Sequence, residues 1–521
     1  LTSSEYYSTF VFADDFSYWG KISKIIAVND RLIVANDAIG IKDYPPGMAL
    51  FDYLFFQFAE FSESLALFSH GIFIIAAFSQ LFSAIPKVGS RYVFFGVSFF
   101  ICSLIYFFEL GLHTLSVDLI VGVVFGISLF GYLVESRQGK TSSIIRLIPL
   151  VMVLPLIKST GILFAFVIIA VVLCDLLIGS INGREKIKLI LIALLLIPSC
   201  ILAYASWNTH VKNMGFEKTF NTRISFGEVV NAFSSESVTE RQKETIDNFK
   251  RRVLLPHPES KYLPSRQYYW LTVCIAFVWL IWCIRRDDKS KSWEGLVPFA
   301  VLFGGFCAYL FVLLVLYMFS FGAYEGPRLA SFARYVNTYL VGVLIILFGM
   351  SLSQYFRKKQ DRAVTIFLIT ICFFIMLPNL KAGLLDMYHV IRGGQNRDIE
   401  NVAKYWKVIE NKTPPTSKIY FLWQGSNGTE MQIFSYGIMH RENNHGCWSV
   451  GEPYDDGDVW TCRMTSSEFE QALMDYDYLF VGHADKKFES SFSPLFGSDD
   501  VQDGSLFQIL KGDGHIRLSK I

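Results

Sequence analysis

Predominantly apolar runs of about 20 residues recur between residues 62 and 382. That length is what an α-helix needs to cross a bilayer. Lipid offers the backbone no hydrogen-bond partner, so such a chain is confined to a bundle of spanning helices. Ten blocks are read at 62–85, 92–112, 115–134, 142–157, 159–180, 188–206, 268–284, 296–320, 336–355 and 363–381. The fourth and fifth are separated only by Leu156-Ile157-Lys158-Ser159-Thr160. This step reads as a tight turn, with one tilted helix as the alternative. With 18% charged and 52% hydrophobic residues, the composition excludes a disordered chain and argues against one large soluble enzyme. The 47 Lys and Arg balance 46 Asp and Glu, so no bulk basicity points to nucleic acid.

Loop charge sets the expected orientation, because short loops rich in Lys and Arg stay cytoplasmic. One alternating set of loops holds Lys87/Arg91, Arg137/Lys140/Arg146, Arg184/Lys186/Lys188, Arg285/Arg286/Lys289/Lys291 and Arg357/Lys358/Lys359/Arg362. The other set is nearly free of positive charge in its short joins and includes the long stretch 207–266. Residues 1–61, 207–266 and 383–521 are therefore expected on the outer face. An even number of spans leaves both termini outside. No apolar block precedes the first polar stretch, so one further helix is expected ahead of Leu1, giving eleven in the parent protein and a cytoplasmic start.

Seven of the nine cysteines lie in apolar blocks. Cys447 and Cys462 lie in the polar C-terminal part and are expected to pair in an oxidising compartment, closing a loop stabilised by roughly 3 kcal/mol. Two free thiols in a reducing compartment are the alternative. A zinc site lacks a CxxC or HxxxH companion. Residues 383–521 read as a small α/β domain, with alternating strand-like runs Lys418–Trp423 and Tyr476–Val481 and helical stretches around 397–411 and 466–474. Asp455-Asp456-Gly457-Asp458 resembles a calcium loop only superficially and reads as a solvated turn. In the loop 207–266, Trp207, His210, Phe216, Phe220, Phe226, Val229 and Phe233 suit short amphipathic helices on the outer leaflet. Arg241, Lys243, Lys250, Arg251 and Arg252 there suit lipid phosphates or an anionic acceptor.

The residues with chemical potential are at the start of the chain. Asp14-Asp15 stand beside Tyr18 and Trp19, and Lys42-Asp43-Tyr44-Pro45-Pro46-Gly47 follows. Two adjacent carboxylates at a membrane edge are costly unless they face a cavity. There, one can take the proton of an attacking hydroxyl. The aromatics suit a sugar face, and Pro45-Pro46 starts a helix well. Farther on stand Val117-Asp118-Leu119, Lys158-Ser159-Thr160-Gly161 and Ser331-Phe332-Ala333-Arg334-Tyr335.

This layout resembles the GT-C superfamily of polyprenyl-phosphate-sugar-dependent glycosyltransferases, which includes lipid A aminoarabinose transferases and protein O-mannosyltransferases. The resemblance covers roughly residues 1–380. Asp15 stands where Glu is commoner in the family. The implied fold is a polytopic α-helical membrane domain at 62–382, an exported first loop at 1–61 and an exported α/β domain at 383–521. The implied reaction moves a sugar from a polyprenyl phosphate, such as undecaprenyl phosphate, to a hydroxyl of a glycan or lipid-linked acceptor, with inversion. Asp14 would be the base, and Asp15 would orient the acceptor or share that role. Arg334 leads the candidates for the donor phosphate, with Arg328, Lys158 and Lys42 behind it. Tyr18, Trp19 and Tyr44 would meet the sugar or the acceptor. Plainer roles remain open: Arg334 and Arg328 as interface anchors, Lys158 as a snorkelling lysine, Asp118 as a helix cap. The expected activity needs no metal, although Asp14-Asp15 leave a divalent ion open. The fitting setting is a bacterial inner membrane with a periplasmic site, modifying a surface polysaccharide such as the O-antigen of lipopolysaccharide. The alternatives are a polymerase or ligase using a diphosphate-linked donor, and a transporter or flippase.

Overall fold

The computed structural model describes residues 10–357 except 38, 85–90, 108–113, 180, 182, 220–223, 234–237 and 255–296, and residues 397–521 except 456, 498–500 and 513–514. The expected spans 268–284 and 363–381 lie outside the described residues, as do the loop charges around them. The helices are, in order, α1 (Gly20–Asn29), α2 (Gly47–Phe56), α3 (Glu63–Ser79), α4 (Arg91–Phe107), α5 (Asp118–Ile157), α6 (Gly161–Ile178), α7 (Gly183–Leu194), α8 (Leu196–Asn213), α9 (Phe226–Phe233), α10 (Glu240–Leu254), α11 (Val297–Phe319), α12 (Phe332–Arg357), α13 (Arg397–Ala403), α14 (Trp406–Lys412), α15 (Thr429–Gly437), α16 (Ser466–Leu473) and α17 (Lys486–Phe492). The strands are β1 (Lys418–Trp423), β2 (Glu442–Asn443), β3 (Ser449–Val450), β4 (Thr461–Cys462), β5 (Tyr478–His483), β6 (Ser505–Lys511) and β7 (Ile516–Lys520).

The chain divides into two compact units. A helical unit comprises 43–55 and 65–388, and an α/β unit comprises 1–42, 56–64 and 389–521. The segment with the acidic pair thus folds with the C-terminal residues rather than standing as a loop of its own.

Among the described residues, six helical stretches of the chain are long and apolar enough to cross a membrane: Glu63–Ser83, Lys140–Ile157, Gly161–Ile178, Gly183–Asn213, Val297–Phe319 and Phe332–Ser353. In the helical unit, α5 is a run of 40 residues, which if straight would be about 60 Å long. Yet Lys158, just past its C-terminus, bonds to Asp118 at its N-terminus. The run therefore doubles back as two antiparallel arms, Asp118–Val134 and Lys140–Ile157. At the opposite end, Tyr132 and Lys140 both donate to Asp175 of α6, at 2.8 and 3.2 Å. The step at Lys158 is the expected tight turn: the residue is extended between the end of α5 and the start of α6.

The first arm of α5 packs on α12 through glycines. A Cβ on Gly122 would lie 2.2 Å from Thr338 O, and one on Gly126 would lie 2.7 Å from Gly342 O. This is the small-residue approach by which membrane helices associate without a hydrophobic driving force. Buried tyrosines then tie helix to backbone, Tyr339 to Leu302 O at 2.8 Å and Tyr317 to Ala330 O at 2.6 Å. On α2 and α3, the buried Asp52 accepts from Ser69 at 2.6 Å and lies 3.3 Å from His70. The amphipathic reading of the 207–266 loop meets α9 and α10. Arg241 of α10 donates to Phe321 O and Gly322 O past the end of α11. Phe220 lies outside the described residues.

In the α/β unit the main sheet has the order β2-β1-β5-β6-β7. β1 is parallel to β2 and β5, while β6 and β7 run antiparallel. The alternation expected of β1 and β5 is replaced by continuous burial, Ile419–Leu422 and Leu479–Gly482. Central parallel strands are covered on both faces, so both sets of side chains are buried. α16 starts at Ser466 as expected, with Thr465 as its N-cap and Thr465 and Glu468 forming a reciprocal capping box. Cys447 and Cys462 are joined in a disulfide. Asp455 and Asp458 spend their oxygens on the backbone amides of Gly457, Tyr454, Trp460 and Thr461, which makes 454–461 a self-bonded turn.

Candidate functional site

In the helical unit, one buried carboxylate gathers two cations. Asp118, 2% exposed at its side chain, bonds to Lys158 and has Arg334 Nε at 3.3 Å from its other oxygen. Each member is placed by a different element: the start of α5, the turn before α6 and the first turn of α12. Asp118 is the first residue of α5, and its carboxylate is engaged in ion pairing. Lys158 Nζ lies 4.6 Å from the centre of the Tyr335 ring and the Arg334 guanidinium 5.5 Å from it. Burial opposes the Lys158 ammonium, but Asp118, Tyr44 and Tyr335 outweigh it and raise Lys158 above its ordinary value. Two cations around one anion leave a net positive charge. The Arg334 side chain is 29% exposed and that of Lys158 16%, so charge is held where a ligand can meet it.

The loop with Tyr44 is pinned beside this cluster. Trp207 donates to Asp43 O at 3.0 Å and Thr219 to Asp43 Oδ1 at 2.9 Å. Gly47 sits so close that a Cβ there would be 2.5 Å from Leu156 O, two residues before Lys158. The Pro-Pro-Gly step therefore packs α2 directly against the turn. Arg328 is exposed and lies over Tyr324 at 3.8 Å.

The helical unit also holds an apolar cavity of about 440 Å³. Leu163, Phe164 and Val167 of α6, Gly305 and Tyr309 of α11 and Tyr339 of α12 contribute to its lining. Tyr309 links the two features, because its hydroxyl donates to Tyr335 O at 2.9 Å. Sequence reasoning found the cations but not this cavity, since a stripe of apolar residues on a spanning helix looks the same whether it meets lipid, protein or a void.

In the α/β unit, Asp15 is fully buried and Asp14 half-buried. Asp15–Trp19 form one wide helical turn in which the Gly20 amide reaches back to Asp15 O, a π-type distortion that interrupts the normal ladder. Gly20 is required by packing: a Cβ would lie 2.1 Å from the Phe10 ring. Tyr18 and Trp19 meet edge to face at 4.8 Å. Behind them, Phe10, Phe16 and Tyr436 of α15 form an edge-on cluster with centroids 5.2–5.9 Å apart. Lys21, 2% exposed, donates to Ser435 at 2.5 Å. Lys24 reaches Tyr436 O at 3.1 Å and covers its ring at 4.2 Å. Burial, then the charge of Lys24, lowers Lys21 to about 7. Lys42 belongs to this unit and donates to Ala35 O. Among the described residues no group of three or more His, Cys, Asp or Glu is arranged to hold a metal ion.

No family model matches the chain, and no curated protein matches it by sequence. Among solved structures it is similar to ArnT from Cupriavidus metallidurans in the apo state, at 11% identity and a TM-score of 0.51. It is similar to the same protein bound to undecaprenyl phosphate at 12% identity and a TM-score of 0.50. Both alignments cover 99% of this chain and 95% of ArnT. The Archaeoglobus fulgidus oligosaccharyltransferase tethered with an acceptor peptide matches at 11% identity and a TM-score of 0.44, over 85% of this chain and 61% of that one. The chain thus spans less than two thirds of that protein's length. The ArnT likeness is one of fold: the chain combines a multi-helix domain, with helices long and apolar enough to cross a membrane, and a small α/β region, the architecture the sequence led one to expect.

Proposed function

We propose that the protein is a membrane glycosyltransferase whose donor is a sugar linked to a polyprenyl phosphate. One observation carries the reading: the Lys158–Asp118–Arg334 cluster is linked to an apolar cavity through one residue, since Tyr309 lines the cavity and bonds to the backbone of Tyr335, whose ring lies beside Lys158 and Arg334. A polyprenyl phosphate has those two parts, an anionic head and a branched hydrocarbon tail. Arg334 grips phosphate oxygens through its planar fork, and Lys158 adds a point charge. As the bond to the anomeric carbon breaks, negative charge grows on the leaving phosphate monoester, and fixed cations lower the barrier. Asp118 holds both cations in place. Asp14 takes the base role on the acceptor hydroxyl, Asp15 orients the acceptor, and Tyr18, Trp19 and Tyr44 supply aromatic surface for sugar. Lys42 and Arg328 are auxiliary cations in this reading. The setting is a bacterial inner membrane with the chemistry on the periplasmic face, and the acceptor is a cell-envelope glycan such as O-antigen. The ArnT structure with undecaprenyl phosphate supports the donor class by likeness of fold.

The test is titration of the purified protein in nanodiscs with undecaprenyl phosphate. Wild type should bind, and Arg334→Lys should bind about 10–100-fold more weakly, the cost of a lost charge-assisted hydrogen bond. Equal affinity in Arg334→Lys and Lys158→Met would remove the assignment.

A further inference from the structure

The α/β unit carries a second candidate site, at the carboxyl end of β1. This strand pairs in parallel with β2 on one side and β5 on the other. The chain leaves it through α15 towards β2 and later returns through α16 to β5. Where crossovers depart in opposite directions, a crevice opens outside the carboxyl ends of the strands, and ligands bind there in open α/β sheets.

The crevice is furnished with aromatic surface. Tyr454 and Trp460 are 43% and 36% exposed, although both belong to a tightly held loop. Tyr454 lies against the loop that leaves β1, since a Cβ on Gly425 would be 3.8 Å from its ring. Its hydroxyl donates to Asp485 at 2.5 Å. Trp460 stacks at 6.0 Å on the buried Trp448, and Trp448 in turn lies under Gly428. Tyr454 therefore meets the segment 424–428 directly, and Trp460 is connected to it through Trp448. The Cys447–Cys462 disulfide and the bond from Lys487 to Glu452 O at 2.6 Å fix the loop from below. Beside them, at the end of β5, His483 is 2.9 Å from Asp503. Lys487 Nζ covers the Tyr454 ring at 4.8 Å, leaving its other side and the Trp460 ring as partly exposed aromatic surface, and carboxylates with spare lone pairs stand close by; together they suit one chemistry. Sugar C–H faces pack on the rings, and sugar hydroxyls donate to the acceptors.

We propose that this crevice binds a neutral glycan chain. Asp458, Asp485 and Asp503 outnumber Lys487, whose ammonium lies 4.8 Å from the Tyr454 ring centre, and so set the local charge against anionic lipid headgroups and phosphorylated ligands. The inference does not depend on the transfer reaction, because it concerns binding without any donor.

The experiment uses the full chain in nanodiscs and saturation-transfer NMR with two probes: an unbranched neutral hexose hexasaccharide, and lipid-free cell-envelope polysaccharide released by mild acid. Wild type should transfer saturation to sugar ring protons with at least one probe. Tyr454→Ala and Trp460→Ala should each weaken binding about tenfold, while the disulfide and the far-UV spectrum stay unchanged. Lack of binding to both probes, or binding indifferent to both substitutions, overturns the proposal. So does an effect of the two substitutions confined to vesicles of phosphatidylethanolamine and phosphatidylglycerol, which would make the rings a membrane anchor. Glycan binding without detectable glycosyl transfer would count against the enzymatic reading and leave this one standing.

Discussion

Asp118 and Lys158 are 40 residues apart in the chain, at the two ends of one helical run, and they bond to each other. The pair thus marks where a helical hairpin closes, and Arg334 arrives at the same carboxylate from a third element. A site built this way is both a staple and a charge reservoir, and the two roles can be separated by substitution.

Asp118→Ala should lower stability by about 3 kcal/mol, the low end of the range for stranding a buried charge, because Arg334 keeps part of its side chain in water. The double substitution Asp118→Leu with Lys158→Met should recover most of the melting temperature, since a buried pair replaced by apolar side chains is often neutral. It should not recover transfer. Thermal melts and turnover on the same preparations check both halves. Recovery of turnover would show the cluster to be structural only.

Asp14→Asn should reduce turnover by about 10²–10⁴-fold, the usual contribution of a general base. Undecaprenyl phosphate binding should be unchanged, because the substitution keeps the shape and removes only the proton acceptor. Product formation under single-turnover conditions, alongside the titration, is the measurement. A loss of binding in step with activity would assign Asp14 to structure.

Lys21 gives the α/β unit a pH dependence of definite sign. Its ammonium is lowered to about 7 in the folded chain by burial and by Lys24, against about 10.4 when solvated. Between those values the unfolded chain binds the extra proton, so stability rises with pH from about 7 to about 10. Below 7 both states are charged and the burial penalty is felt in full. His445 is a neighbour whose imidazole is lowered by burial, Lys21 and Lys42. Its own penalty is fully felt below its folded value and is relieved by about 6.5, under the Lys21 window. Melting of the purified protein at pH 7 and pH 9 should show the rise, and Lys21→Met should flatten it. An undiminished rise in that variant rules Lys21 out as the source.

The membrane character of the chain was legible because a bilayer imposes one length on every span. Lys158 and Arg334 were singled out through the family resemblance and the phosphate-binding chemistry of their side chains. Asp118 was read as a landmark or a cap, since nothing local reveals a partner 40 residues on. The membership of the Asp14-Asp15 segment in the α/β unit was hidden for a related reason. Lys21 and Ser435 are separated by 414 residues, and helical periodicity carries no information about which distant surface a helix covers. β1 and β5 were read as alternating strand-like runs, but their burial on both faces depends on neighbours that a period-two pattern does not encode.

The glycine contact between α5 and α12 predicts a steric limit on the same hairpin. A Cβ on Gly122 would lie 2.2 Å from Thr338 O, a backbone atom that cannot rotate away. Gly122→Val should force the first arm of α5 off α12 and carry Asp118, four residues earlier, away from Arg334. Overpacking of this kind costs about 1–3 kcal/mol. Gly131→Ala is the contrasting substitution, because a Cβ there meets only the end of a Gln80 side chain at 3.8 Å. Gly122→Val should therefore melt earlier and bind undecaprenyl phosphate more weakly, whereas Gly131→Ala should do neither. Equal behaviour of the two variants would mean that the arm is not held by the glycine approach, and that the cations are positioned by Asp118 alone.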